Sequence, residues 1–207
     1  MVAEPRSIFS LSAMEKNRLE AFSDGVLAII ITIMVLELKV PHGADFAALK
    51  PLLPVFLSYV LSFVYVGIYW NNHHHLIKAV HRITAGIMWA NLHLLFWLSL
   101  FPFVTGWMGE NHFSSLPSAL YGGVLFLAAV AYKLLQSFIL TAQGRDSKLV
   151  ASLGSDWKGK LSPVLYAIGI ALSFIQPWLA GSLYVAVALM WIIPDPRIER
   201  VVDETKH

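Results

Sequence analysis

The chain contains no cysteine, and only 14% of its 207 residues carry charge. The first absence excludes a disulfide scaffold, a thiolate metal site and a cysteine nucleophile. The second falls well below the roughly 25% typical of soluble domains. A small net charge of +2 gives no footing for nucleic acid, which calls for a concentrated basic patch. No Thr-Val-Gly-Tyr-Gly string occurs, so the glycines at 122–123, 144 and 154 lack the context of a carbonyl ion filter. Residues Met1 to Asn17 mix Glu4, Arg6, Glu15 and Lys16 without a distinct apolar core. That is no cleavable signal pattern, and the first spanning helix is expected to stay attached.

What is present is apolar: 57% of residues, with a mean hydropathy of +0.64. This composition belongs to an integral membrane protein. A helical crossing needs about 20 predominantly apolar residues. Six such stretches are legible, at about 18–38, 52–71, 83–107, 116–141, 161–176 and 178–193. The last two meet at Gln176-Pro177 and are too long together for one crossing, so they read as a hairpin. Pro41, Pro51, Pro54, Pro117, Pro163, Pro177 and Pro194 sit at or near the expected ends, where proline is tolerated. No internal repeat interrupts the reading of 1–207 as one domain, and only the polar, basic loop from Ala142 to Lys160 reads as flexible.

Basic residues test the count. With the N-terminus inside, Arg6, Lys16, Arg18, Lys78, Arg82, Arg145, Lys148, Lys158, Lys160, Arg197, Arg200 and Lys206 all fall inside. Lys39 and Lys50 fall outside, and Lys133 lies within the fourth span. The positive-inside rule thus favours six crossings with both termini cytoplasmic.

Within the first span, Ile29, Thr32, Ile33 and Leu36 share one helical stripe, which Arg18, Phe22 and Gly25 extend toward the N-terminus. Asp24 points to roughly the opposite side. A carboxylate there needs a partner from another helix. Trp70, Asn71, Asn72 and the His73-His74-His75 run supply candidates on the second span, and Asn91 and His93 on the third. The expected clamp joins Arg18, Phe22, Ser23 and Asp24 to Asn71, His75 and Asn91. A simple helix cap by Asp24 is the plainer alternative. The stripe itself has two readings, since an aliphatic face with one threonine is more often packing than pore. Residue spacing alone leaves the function open.

Arg18, Phe22-Ser23-Asp24 and the aliphatic run through Thr32 to Leu36 resemble the first-helix signature of the potassium channels named for transmembrane protein 175. Asn91-Leu92, Leu94-Leu95-Phe96 and Leu98 to Phe103 are similar to that family's third-helix region. The resemblance implies an all-α membrane protein with six transmembrane helices per chain. It also implies a homotetramer whose pore is lined by the first helix of each copy. On that basis Ile29 forms the first aliphatic ring, Thr32 a threonine layer, and Ile33 and Leu36 further constrictions. Potassium is then the permeating ion and no cofactor is expected. Four Glu37 side chains either concentrate cations at the outer mouth or pair with Lys39 and headgroups. The expected setting is a bacterial plasma membrane.

Three rival readings stand against the channel. The histidines invite a metal site, but consecutive histidines diverge on a helix, and the pairs Asn71–His75 and His73–Ile77 lack a second ligand. No metal is expected. An enzyme is not expected either, because Ser99 and His93 sit six apart on one helix. The stronger rival is a proton- or ion-coupled transporter with Asp24, His93 and Lys133 as a relay.

Overall fold

The computed structural model describes residues 6–78, 80, 82–143 and 157–192, with only the backbone path for residues 6–13 and 143. Arg145, Lys148, Arg197, Arg200, Lys206, His81 and most of the Ala142–Lys160 loop lie outside the described residues. The regular structure of the described residues is helical: α1 (Arg6–Leu36), α2 (Leu53–Lys78), α3 (Ala85–Ser99), α4 (Phe101–Glu110), α5 (Ser115–Gln143), α6 (Trp157–Ile175) and α7 (Pro177–Ile192). A 3₁₀ segment, Phe46–Leu52, leads into α2, with Asp45 capping its first turn.

Five crossings are long and apolar enough to span a bilayer, and α7 adds a shorter sixth. The chain is an integral membrane protein with five to six apolar helices among the described residues. In lipid every backbone polar group must be satisfied within the segment, which is why apolar runs of this length become helices.

The third crossing is broken, where the sequence suggested one continuous span. Pro102 lacks an N–H and its ring crowds the carbonyl four residues back. The chain accordingly leaves α3 at Leu100, whose N–H turns to Trp97 O at 3.3 Å, and restarts as α4 with Pro102 in its first turn. The joint at Gln176-Pro177 does make a hairpin. Trp191 Nε1 donates to Ser162 Oγ at 2.8 Å, while Tyr184 packs on Gly169, so α6 and α7 run antiparallel.

Close packing depends on small residues where helices cross, as expected where lipid is as apolar as the core. A Cβ on Gly109 of α4 would stand 2.6 Å from Val55 Cα of α2. Gly122 of α5 and Gly169 of α6 both make room for the Tyr184 ring. Hydroxyls fill the same region: Ser62 lies 2.6 Å from Thr105 and 3.0 Å from Tyr121, and the Tyr65 hydroxyl donates to Tyr184 O at 2.6 Å.

These contacts sort the helix ends. α1, α3 and α6 begin, and α2 and α5 finish, at an end bearing Lys16, Arg18, Lys78, Arg82, Lys158 and Lys160, hereafter the basic end. At the opposite end the Lys39 ammonium meets Glu110 at 2.6 Å, joining the exit of α1 to the exit of α4.

Candidate pore face and its polar anchor

α1 packs against α2, α3 and α4, and its side chains divide cleanly. Leu19, Ser23, Leu27, Ile30 and Met34 are buried, at spacings of four, four, three and four. That is one helical face. The other face is bare within the protomer. Ile29 is 57% exposed and Leu36 78%, whereas Leu27 and Met34 are each 1% exposed. Phe22, Thr32 and Ile33 belong with the exposed set.

Thr32 does not spend its oxygen. Its hydroxyl donates to Ile29 O, one turn back, at 2.9 Å. The proton is therefore committed to the helix backbone, and the oxygen lone pairs remain for whatever lies outside.

On the buried face a polar chain ties α1 down. Ser23 Oγ donates to Leu19 O at 2.8 Å and accepts from Asn91 Nδ2 at 2.9 Å. Asn91 Oδ1, left as the acceptor, lies 2.7 Å from His73 Nε2. The direction is then fixed: His73 carries its proton on Nε2, and the relay runs His73 to Asn91 to Ser23 to Leu19 O. All three side chains are buried. Such a network rigidifies one packing arrangement, because each member would be costly if left alone.

Two further bonds flank it at the basic end. Trp70 Nε1 donates to Asp24 Oδ1 at 3.1 Å, and His74 Nδ1 stands 2.8 Å from Glu20 Oε1. Asp24 thus reaches across to α2 through an indole.

The expected site residues are distributed as follows. Ile29, Thr32, Ile33 and Leu36 lie together on the exposed face. Ser23 and Asn91 meet directly, and Asp24 sits beside them but bonds separately. Asn71 is exposed and His75 half-buried, while His73 is the histidine that meets Asn91. Arg18 and Phe22 are exposed as well. A signal for His73 was available. The buried positions of α2 step through Ser58, Ser62, Tyr65, Tyr69, His73 and Leu76 at intervals of three and four, and His75 falls off that stripe. Glu37 rests its carboxylate near Gly106 of α4, and Lys39 takes Glu110 instead.

Among the described residues no hydrogen bond or ion pair joins the three supposed relay residues to one another. Asp24 bonds Trp70, His93 accepts from Trp97 Nε1 at 2.9 Å on the exposed side of α3, and Lys133 faces a cavity among α2, α5, α6 and α7. Ser99 donates to Phe96 O and does not engage His93. Among the described residues no cluster of histidine, aspartate and glutamate has the makings of a metal site.

Comparison with known proteins agrees with this architecture. A family model described as endosomal/lysosomal potassium channel TMEM175 matches residues 18–102, from within α1 to the first turn of α4. A Chryseobacterium sp. (strain P1-3) protein named as a potassium channel is 56% identical over 191 residues, spanning 92% of this chain and 100% of its own. The human endosomal/lysosomal proton channel TMEM175 is 39% identical over 97 residues, which cover 40% of this chain and 19% of the human one. Among solved structures, a lysosomal potassium-selective channel TMEM175 homolog from Chamaesiphon minutus superposes with a TM-score of 0.74 at 28% identity. The match covers 87% of this chain and 97% of the homolog.

Proposed function

The chain belongs to the TMEM175 family of channels, and from that premise we propose that it is a potassium-permeable cation channel, its pore formed by α1 from four copies. Both termini then lie in the cytoplasm, since the basic end faces inward by the positive-inside rule. One observation carries the reading. The stripe of Ile29, Thr32, Ile33 and Leu36 is left uncovered by its own protomer, while the opposite face of the same helix is locked by Ser23, Asn91 and His73.

The chemistry of that stripe dictates how such a pore works. Rings of isoleucine and leucine offer nothing to replace an ion's hydration shell. When narrow they exclude water and hence ions; when dilated they admit an ion with part of its shell. The Thr32 oxygens, with their protons turned inward, supply negative dipoles near the constriction. Selectivity for potassium over sodium is then modest, because no cage of fixed carbonyls measures the ion. Opening is a movement of α1 against α2 and α3, and the Ser23–Asn91–His73 chain sets the packing about which it moves.

Full-length protein in liposomes is expected to pass K⁺ and Rb⁺, with weaker Na⁺ flux, down a gradient and without a coupled substrate. Ile29→Asn, which wets the constriction, should raise conductance and reduce discrimination. Flux no greater than that of empty liposomes refutes the channel reading; unchanged current in Ile29→Asn moves the gate away from this ring.

A further inference from the structure

Lys133 has no place in the pore and yet sits within a membrane-spanning helix, ten residues before the end of α5. An ionisable group at such a depth is costly and is retained only with a task. It faces a cavity of about 40 Å³ at the basic end, walled by Tyr69, Tyr132, Tyr166 and Trp191, with Asn72 beside it. The other polar groups there are largely engaged. Tyr132 donates to Asn72 O at 3.3 Å, Asn72 Nδ2 to Ile68 O at 2.8 Å, and Trp191 to Ser162. The Lys133 ammonium enters none of the hydrogen bonds or ion pairs found among the described residues.

Among the described residues that line the cavity, Lys133 alone is charged. Gly159 in the first turn of α6 lines it, flanked in sequence by Lys158, which is buried, and Lys160, which is exposed. No aspartate or glutamate is among the described lining residues. Toward the bilayer centre from the cavity, α5 leaves Val130 exposed and α6 leaves Val164 and Ile168 exposed. A water-sized group needs about 10–15 Å³ of such space, so the cavity admits a phosphoryl group but not a whole lipid. Basic pockets between transmembrane helices suit acidic headgroups.

We infer that the Lys133 cavity is a headgroup site for an anionic phospholipid of the leaflet at the basic end, with the phosphate on Lys133 and the acyl chains along α5 and α6. The site would act on the channel through α2, which lines the cavity with Tyr69 and Asn72 and grips α1 with Trp70 and His74.

Native mass spectrometry and thermal melting of the full-length protein test this, with phosphatidylglycerol, phosphatidylcholine and glycerol 3-phosphate as probes. Phosphatidylglycerol should be retained and raise the melting temperature, phosphatidylcholine should do neither, and glycerol 3-phosphate should not shift the melt. Lys133→Gln should weaken phosphatidylglycerol retention about tenfold, the loss of one charge-assisted contact, while Lys133→Arg should keep it. Equal retention of the two lipids by the wild-type protein overturns the proposal, as does undiminished phosphatidylglycerol binding by Lys133→Gln. Binding of glycerol 3-phosphate as strong as that of phosphatidylglycerol also overturns it, since the site would then serve a soluble phosphate. None of these readouts depends on ion conduction.

Discussion

The two faces of α1 are made of nearly the same residue types and have opposite fates. Leu27, Ile30 and Met34 are buried, while Ile29, Ile33 and Leu36, one or two positions away, stand open. Hydrophobicity does not separate the faces. What separates them is polarity at the base of the helix: the buried face carries Ser23, held by Asn91 and His73, and the open face carries no such anchor. In a bilayer, where apolar side chains gain little from leaving lipid, small residues and hydrogen bonds choose which face packs. The anchor therefore orients the helix, and the aliphatic stripe follows as its complement.

The sharpest way to break that contrast is to cut the anchor. Asn91→Leu strands the His73 Nε2–H and removes the donor to Ser23, at a cost of about 1–3 kcal/mol for buried groups left unpaired. The yield of assembled protein on gel filtration should collapse; a normal yield would show that α1 is oriented by something else. Next come matched truncations on the two faces. Met34→Ala opens a cavity against the neighbouring helices and should cost about 2 kcal/mol, the low end of core truncations because lipid is no less apolar than the site. Leu36→Ala should leave the melting temperature of the folded protein almost unchanged while altering K⁺ flux. Equal melting losses in the two variants would erase the distinction between the faces. The smallest effect belongs to Asp24→Ala, which removes one indole hydrogen bond from a half-buried carboxylate to the exposed Trp70, about 0.5–1 kcal/mol. It should reduce assembly slightly and leave selectivity intact. Altered selectivity with normal assembly would put Asp24 in the conduit.

Much of this arrangement is legible in the residues, and the failures are instructive. The five long apolar helices, the shorter α7 and the α6–α7 hairpin follow from apolar run lengths and from Pro177. Ser23 and Asn91 are recognisable as polar side chains that need a partner inside the membrane. The choice of His73 over His75 and Asn71 is harder, since three successive histidines offer every direction around α2, and only the stripe through Ser62 and Tyr69 selects one. The break at Pro102 was visible as a residue and yet read as part of a continuous span, because apolar length alone does not register a missing N–H. Lys133 is conspicuous in the sequence, but its cavity joins residues from four helices and no local pattern foreshadows that.

The absence of cysteine makes one measurement especially direct. Single substitutions Ile29→Cys, Thr32→Cys, Ile33→Cys and Leu36→Cys, set against Leu27→Cys, Ile30→Cys and Met34→Cys, introduce a lone thiol into a background with none. A small water-soluble thiol reagent applied to liposomes should block K⁺ flux in the first set, the side chains of the proposed pore, and spare the second. Undiminished flux in all four variants of the first set, after modification verified by mass, would contradict a pore lined by α1.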